Sequence, residues 1–264
     1  MLVVLPVTRA DSELAVKLAR WISTLGGGAN HSLLVAATHQ SKEAGEEVIN
    51  ILQGSFATAH TFIPESEHEL GWPSSSNFMF QKTAGHLFAR GNRLPFYWFE
   101  ADNVPVKATW LDELQTEYNL AQKPFMGVIE DSCVFDKETR KLLKKDGQHM
   151  NGSGIYPANL AGVSQLFNSI HLHKEAQPWD IYLRWEMKGH IHNSKLMLNN
   201  WKSEKYVRTA DGQIACSAID PCYPGKYVGA NVVVVHGCKD GSLIDLLERE
   251  RERSPKPTAP KKSK

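Results

Sequence analysis

Short apolar runs alternate with amphipathic segments through the first hundred residues, and this alternation limits the possible folds more than any other feature. The first run, Leu2–Val7, is apolar throughout, which is typical of a strand buried on both faces of a sheet. After a polar turn, Ser12–Leu25 shows helical spacing of its apolar residues. Further strands and helices are predicted at Ser32–Thr38, Ser41–Leu52, Ala57–Ile63, Asn77–Arg90 and Pro95–Phe99. The pattern predicts an α/β fold: a Rossmann-like, mostly parallel sheet with helices on both faces.

The second half of the chain is less regular and predicts a mixed region. Its expected elements are strands at Pro124–Ile129 and Asn231–Val235, a charged exposed helix or loop at Lys137–Gln148, and helices at Ala158–Ile170, Trp179–Met187 and from Ser242 to about Arg251. The glycine-rich segment Asn151–Pro157 predicts a mobile loop. We expect one domain, residues 1–247, with halves 1–123 and 124–247, followed by a charged disordered tail, 248–264.

Charge and hydropathy argue against several classes of protein. Thirty basic and twenty-nine acidic residues give a net charge of +1, and the tail alone carries +4, which leaves the body close to −3. A dedicated duplex-DNA binder normally has a strongly basic face, and the composition of this body gives no sign of one. No apolar run approaches the ~18 residues of a membrane span, and the first run lacks a basic leader. We therefore expect a cytoplasmic protein without membrane contact.

Polar residues follow the ends of the predicted strands, where open α/β sheets bind their ligands. Neither a G-x-G-x-x-G nor a P-loop sequence is present, so dinucleotide and P-loop binding are not supported. The residues in these positions are Thr8, Arg9 and Asp11 after the first strand, His39 after the second, and Glu100, Asp102 and Asn103 after the fourth.

Glu100 and Asp102 are the most informative of these residues. Two carboxylates separated by one residue on an extended chain lie on the same side and can hold a divalent cation through oxygen ligands. A cation in that position could neutralise a diphosphate. The alternative is that both acids only cap the next helix or solvate a loop.

Three segments resemble glycosyltransferases of the GT-A fold. Glu100-x-Asp102 resembles the D-x-D motif that follows the fourth strand in that family, with Glu in place of the first Asp. Trp110-Leu111-Asp112-Glu113-Leu114 is similar to a W-L-x-x-L sequence in phage-encoded members, and His236-Gly237-Cys238-Lys239-Asp240 is similar to their C-terminal H-G-x-K-D motif. The resemblance extends from Leu2 to about Leu247.

The resemblance implies a GT-A-like fold and a nucleoside-diphosphate sugar as donor. It also implies a Mn²⁺ or Mg²⁺ cofactor held by Glu100, Asp102 and His236, with Lys239 at the phosphates. The first half of the chain becomes the donor-binding half and the second the acceptor half. The residues expected to contact the nucleotide sugar are Pro6, Thr8, Arg9, Asp11, His39, Asn77, Glu100, Ala101, Asp102 and Lys239.

The acceptor side is expected around Asp180. An inverting transfer needs a carboxylate that takes the proton of the acceptor hydroxyl. Asp180 follows Pro178 at a predicted helix start and resembles the family's general base; the alternative is an acid favoured there by the helix dipole. The phage members modify viral DNA, which implies a hydroxymethylated pyrimidine as acceptor and the host cytoplasm as location. The acceptor residues expected with Asp180 are Gly154, Ile155, Tyr156 and Trp179.

Two other functions fit parts of this pattern. A nucleotidyltransferase could use a similar sheet and paired acids to attack an α-phosphate, although no glycine-rich basic loop follows the first strand. A nonenzymatic protein that binds a nucleotide sugar or nucleic acid could retain the fold without the chemistry. The presence of Asp102, His236 and Lys239 together favours the enzyme.

Overall fold

The computed structural model describes residues 1–64, 71–135, 142–163, 177–218 and 227–253. Its strands are β1 Leu2–Val7, β2 Ser32–Ala37, β3 Thr58–Phe62, β4 Phe96–Trp98, β5 Val104–Pro105, β6 Phe125–Phe135, β7 Leu142–Tyr156, β8 Ile191–Asn193, β9 Met197–Arg208, β10 Ile214–Ala218 and β11 Val234–Cys238. Its helices are α1 Ser12–Leu25, α2 Lys42–Leu52, α3 Ser74–Ala89, α4 Trp110–Ala121, α5 Leu160–Val163, α6 Trp179–Tyr182, α7 Arg184–Met187 and α8 Ser242–Arg253.

A seven-stranded sheet with the order β3-β2-β1-β4-β7-β6-β8 forms the centre of the fold. Strands β3, β2, β1 and β4 are parallel to one another, and β7 is antiparallel to both β4 and β6. Since β8 is parallel to β6, β7 is the reversed strand of this sheet. The mostly parallel, Rossmann-like sheet expected from the sequence is therefore confirmed.

Two apolar cores cover the two faces of this sheet. Alternate residues of β1 separate onto them: Val3 and Leu5 pack into one core and Val4 into the other. The same alternation places Tyr97 in the first core and Trp98 in the second. Both faces are thus buried, which explains why these strands read as continuous apolar runs.

A second sheet brings the C-terminal part of the chain to the end of β4. Its order is β10-β9-β11-β5, with β11 parallel to β9 and antiparallel to β5. Because β5 follows the acidic turn after β4 directly, the pairing of β11 with β5 carries the segment after Val235 to that turn. Strands β5, β8, β9 and β10 were not among the elements expected from the sequence.

Three expectations about the second half are wrong. Residues 142–148 belong to β7 rather than to a charged helix or loop, and Asn151–Tyr156 continue the same strand rather than forming a mobile segment. The strand is held on both sides, by β4 and β6, and a Cβ on Gly154 would lie 2.9 Å from the Cε of Met150. Glycine is needed there for close packing, not for mobility.

The third correction concerns the start of the tail. Glu248–Arg253 are the last turns of α8, where Glu250 pairs with Arg208 of β9 and Arg251 donates to the carbonyl of Thr24. The rest of the tail, 254–264, and residues 164–170 of the predicted helix lie outside the described residues. No helix in the described part of the chain is both long and apolar enough to cross a membrane.

Candidate active site

An acidic turn at the end of β4 carries Glu100 and Asp102. The backbone amide of Asn103 and its side-chain amide both donate to the carbonyl of Glu100, at 2.9 and 3.0 Å. The hydroxyl of Ser153 in β7 donates to the side-chain oxygen of Asn103 at 2.8 Å. These bonds close the turn and fix it to the central sheet, so that the two carboxylates have a rigid support.

The pairing of β11 with β5 brings His236 to this turn. Val235 lies opposite Val104, and the amide of Cys238 donates to the carbonyl of Asp102 at 3.1 Å. Between them, Gly237 has a φ of +96°, and a Cβ there would lie 2.4 Å from the carbonyl oxygen of Asn200. Only glycine fits this bend, which explains the glycine of the H-G-C-K-D sequence.

Glu100, Asp102 and His236 form a compact group of potential metal ligands. The Nε2 of His236 lies 3.1 Å from Oε2 of Glu100 and 3.3 Å from Oδ1 of Asp102, and one ligand atom from each residue lies within 4.8 Å of the others. Oδ1 of Asp102 faces His236, and Oδ2 faces Lys239. Two carboxylates and an imidazole so close together are a donor set that suits a cation such as Mn²⁺ or Mg²⁺.

Asn199 of β9 orients the imidazole of His236. Its side-chain oxygen lies 2.9 Å from Nδ1, and an amide oxygen can only accept, so Nδ1 carries a hydrogen and Nε2 faces the carboxylates. Burial opposes protonation of the ring, but Asp102 and Glu100 outweigh it and raise the pKa of His236 to about 10. A cation that binds Nε2 must displace this proton.

Lys239 lies on the other side of Asp102. Its Nζ is 2.5 Å from Oδ2, and the side chain remains 42% exposed. Burial opposes the charge of this ammonium, yet the nearby carboxylates raise the pKa of Lys239 above its usual value. Burial also opposes ionisation of Asp102, but His236 and Lys239 hold the pKa of Asp102 well below its usual range. Asp102 is therefore a charged group held between two cations.

Trp201 and Asn199 are site residues that the sequence did not reveal. The Trp201 ring lies 5.1 Å from Nζ of Lys239 and 5.9 Å from the ring of His236. Both residues come from β9, which has no motif of its own. Only the pairing of β9 with β11, which the sequence does not show, brings them to the site.

The loop after β1 lies within the electrostatic reach of this group. The hydroxyl of Thr8 donates to the carboxylate of Asp11 at 2.7 Å. Burial raises the pKa of Asp11, the Thr8 bond and Lys239 lower it, and the charges of Asp102 and Glu100 raise it further. The charges of the acidic turn thus act on Asp11, while contact of this loop with a nucleotide sugar stays a prediction.

The other donor-side residues have different surroundings. Arg9 and His39 are exposed, Pro6 is half-buried in β1, and Ala101 is buried between the two acids. Asn77 is fully buried in α3, where its amide donates to the carbonyl of Gln177 at 2.9 Å. The described contacts do not join His39 or Asn77 to the acidic turn, and the donor contacts of all these residues remain predictions.

Asp180 lies in the first turn of α6, next to β7. Its Oδ2 is 3.7 Å from Nε2 of His149, and its Oδ1 accepts from the amide of Ile181 at 3.0 Å. Burial, followed by the charge of Glu100, raises the pKa of Asp180 to about 7. Burial and Arg184 lower the pKa of His149 to about 4, so its imidazole is neutral near pH 7. The carboxyl of Asp180 is thus poised to exchange a proton near neutral pH, within reach of the field of Glu100.

The remaining acceptor-side residues are packed in the interior. Ile155 and Tyr156 are fully buried in β7, and the hydroxyl of Tyr156 donates to the carbonyl of Gly152 at 2.9 Å. Trp179 stacks on Phe80 with ring centroids 3.7 Å apart. Gly154 lies against Met150, as described above. Of the five residues expected there, Asp180 is the one with a chemically reactive group; acceptor contact by the others remains a prediction.

Comparisons with known proteins find similarity at the level of the fold. No protein-family model matches the chain, and no curated protein sequence matches it. The chain is similar to the crystal structure of an active-site mutant of LgtC, with a TM-score of 0.52, 10% sequence identity, and coverage of 90% of this chain and 87% of that one. At this identity the likeness defines the fold alone.

Two other solved structures are similar at a lower level. The galactosyltransferase LgtC in complex with donor and acceptor sugar analogues gives a TM-score of 0.49 at 11% identity, over 90% of this chain and 87% of that one. Mouse xyloside xylosyltransferase 1 gives a TM-score of 0.45 at 12% identity, over 89% of this chain and 96% of that one.

Proposed function

We propose that this protein is a metal-dependent glycosyltransferase that moves a sugar from a nucleoside diphosphate to an acceptor hydroxyl. The observation that carries the proposal is the group of Glu100, Asp102 and His236 beside Lys239, at the carboxyl end of β4. This is the edge at which open α/β sheets bind ligands. Carboxylates and an imidazole that can hold a cation, together with one partly exposed ammonium, provide positive charge for the two phosphates of a nucleotide sugar.

The donor side follows from the charges of these residues. Mn²⁺ or Mg²⁺ would be held by Glu100, Asp102 and His236 and would offset the charge of the diphosphate. Lys239, with its partly exposed ammonium, stabilises the negative charge that grows on the leaving diphosphate as the glycosidic bond breaks. Asn199 keeps the imidazole of His236 turned toward the carboxylates.

The acceptor side follows from Asp180. Its carboxylate takes the proton of the acceptor hydroxyl as that oxygen attacks the anomeric carbon, and the reaction inverts the configuration at that carbon. Its raised pKa, about 7, suits this step because a base is most effective when its pKa lies near the working pH.

The acceptor is proposed to be a hydroxymethylated pyrimidine of phage DNA, and the location the host cytoplasm. Both rest on the resemblance of the acidic turn, the W-L-D-E-L sequence and the H-G-C-K-D sequence to phage-encoded enzymes. A base inside a duplex must be unpaired and unstacked to reach Asp180, which costs about a few kcal/mol. Additional contacts to the strand must offset this cost.

Mass spectrometry of hydroxymethylated DNA after incubation with Mn²⁺ and a panel of nucleotide sugars tests the proposal. We expect a gain of one hexosyl or pentosyl group, and no gain with Asp102→Asn. Asp245→Asn, which removes an exposed carboxylate paired with Lys17 on α1, is the matched control and should remain active. Transfer of a nucleotidyl group would instead identify a nucleotidyltransferase, and binding of the nucleotide sugar without any transfer would indicate a binding protein.

A further inference from the structure

An exposed tryptophan with two cations over its ring follows the candidate base in the chain. Trp185 in α7 is 64% exposed, the guanidinium carbon of Arg184 is 5.1 Å from the centroid of its ring, and Nζ of Lys188 is 5.4 Å from it. We call these three residues the Trp185 platform. Nζ of Lys123 donates to the carbonyl of Gly189, the residue that follows Lys188, at 2.9 Å.

The platform is joined to the site of Asp180 through a continuous segment. Leu183 caps the end of α6 and the start of α7, so Asp180 and Trp185 lie five positions apart in one continuous segment. Arg184 is near enough to act electrostatically on His149, which lies 3.7 Å from Asp180. The platform is therefore linked to the surroundings of Asp180 through the chain itself and through the charge of Arg184.

The chemistry of the platform selects its ligand. An indole ring exposed to water offers a flat apolar face, and ring stacking is available to every nucleobase. The two cations now lie over the ring, and a base that replaces them there leaves both free to pair with the phosphates next to it in the strand. A neutral sugar chain could use the ring but would gain nothing from Arg184 and Lys188, so the charges favour a polyanionic strand.

We propose that the Trp185 platform binds an unpaired nucleotide of a nucleic-acid strand, with the base stacked on Trp185 and the neighbouring phosphates at Arg184 and Lys188. As the means of presenting an acceptor to Asp180, this surface rests on the proposed function. It supplies the strand contacts that removal of a base from a duplex requires. As a binding surface it can be tested without donor or metal.

Fluorescence anisotropy of a labelled single-stranded oligothymidine, over a series of salt concentrations, measures the binding. We expect Trp185→Ala to weaken binding by roughly fivefold or more and Trp185→Phe to keep most of it, because stacking needs a ring. An abasic strand of equal length should be bound weakly by the wild type, and Trp185→Ala should bind that strand with the same weak affinity. The aromatic control is Phe88→Ala, a 50% exposed ring on α3, which should bind as the wild type does.

The double variant Arg184→Ala, Lys188→Ala tests the phosphate contacts. It should bind both strands more weakly and reduce the slope of log affinity against log salt by about 0.7 for each phosphate that is no longer neutralised. Arg20→Ala with Lys42→Ala removes two exposed cations from α1 and α2 and should leave the slope unchanged. The proposal is overturned if a neutral oligosaccharide competes as well as the strand, if Trp185→Ala binds as tightly as the wild type, or if no strand binds.

Failure of the platform and failure of the proposed function give different results. Metal-dependent binding of a nucleoside diphosphate, measured in the same variants, should be unchanged by every platform substitution. Strand binding that depends on Trp185 in a protein that binds no metal or nucleotide would support the platform and contradict the glycosyltransferase. Nucleotide binding without strand binding would contradict the platform and leave the glycosyltransferase supported.

Discussion

The Nδ1 of His236 and the side-chain oxygen of Asn199 lie 2.9 Å apart, although 37 residues separate them in the chain. This bond turns Nε2 toward Glu100 and Asp102 and fixes which nitrogen can serve a cation. Without it the ring could rotate or reverse its tautomer. The orientation of the imidazole is therefore set by β9, a strand that carries no ligand of its own.

Asn199→Ala should weaken Mn²⁺ binding by roughly 10- to 100-fold, the usual cost of losing an outer partner of a metal ligand. Asn199→Asp keeps an oxygen acceptor at the same place and should restore most of the affinity. Titration calorimetry with Mn²⁺ measures both. Equal affinity in the alanine variant and the wild type would show that the bond does not orient the ring.

Asp102→Asn should reduce metal-dependent binding of a nucleoside diphosphate more than Glu100→Gln does. Asp102 is 2% exposed and lies between His236 and Lys239, whereas the side chain of Glu100 is 30% exposed and can be replaced in part by water. Calorimetry with and without EDTA gives the comparison. The ranking would be contradicted by a larger loss in Glu100→Gln, and the metal site itself by diphosphate binding that EDTA leaves unchanged.

Lys239→Ala should lower the turnover number at saturating donor by roughly 10²- to 10³-fold, because its ammonium acts on charge that develops only as the leaving group departs. A smaller loss of donor affinity should accompany it. Lys42→Ala, which removes an exposed lysine of α2, should leave both unchanged. Steady-state kinetics separate the two effects, and a loss of affinity with an unaltered turnover number would assign Lys239 to binding alone.

Asp180→Asn should reduce transfer by roughly 10²- to 10⁴-fold while metal and donor binding persist. The activity of the wild type should rise with pH and level off above about 7, where Asp180 is ionised, because its pKa is raised to about 7. The residual activity of the variant should lack this rise. A pH profile of kcat/KM in both proteins checks the assignment, and a product that retains the anomeric configuration of the donor would exclude an inverting base.

The same pKa predicts the sign of an effect on stability. An acid whose pKa is higher in the folded state binds more protons there, so its contribution to the free energy of unfolding is present below about pH 4 and is lost as the pH rises through about 7. Asp180→Asn should therefore be more stable than the wild type at pH 8, by an amount on the order of a few kcal/mol, and equally stable at pH 4. Urea denaturation at the two pH values provides the measurement, and an asparagine variant that is less stable at pH 8 would show that the carboxylate has a structural role.

The sequence was most informative where local pattern and tertiary environment agree. Leu2–Val7 and residues 33–37 of β2 are apolar throughout and lie between the two cores of the sheet, so the sequence pattern indicates burial on both faces directly. His236 and Lys239 of the H-G-C-K-D sequence lie beside Asp102 in the structure, while their roles at a metal and at phosphate stay predictions.

The predictions from the sequence that failed share one physical cause, and β7 shows it. Gly152 and Gly154 are typical of loops, yet here glycine makes room for the rings and thioether packed against the strand: a Cβ at Gly152 would lie 3.0 Å from the Trp179 ring. Such packing depends on residues distant in the chain, which local preference does not include. Asn199 and Trp201 escaped notice for the same reason, since only the pairing of β9 with β11 gives them a role.

Glu100 and His236 are 136 positions apart in the chain, and this separation has a consequence for the order of assembly. The two acids are in place once β4 has joined β1, but the imidazole arrives only when β11 pairs with β5 and β9, which are contacts of high sequence separation and hence slow to form. During synthesis, a chain that has not yet produced β11 offers two carboxylates and no third ligand. Tight capture of a cation would thus mark the moment at which the last strand of the domain has taken its place.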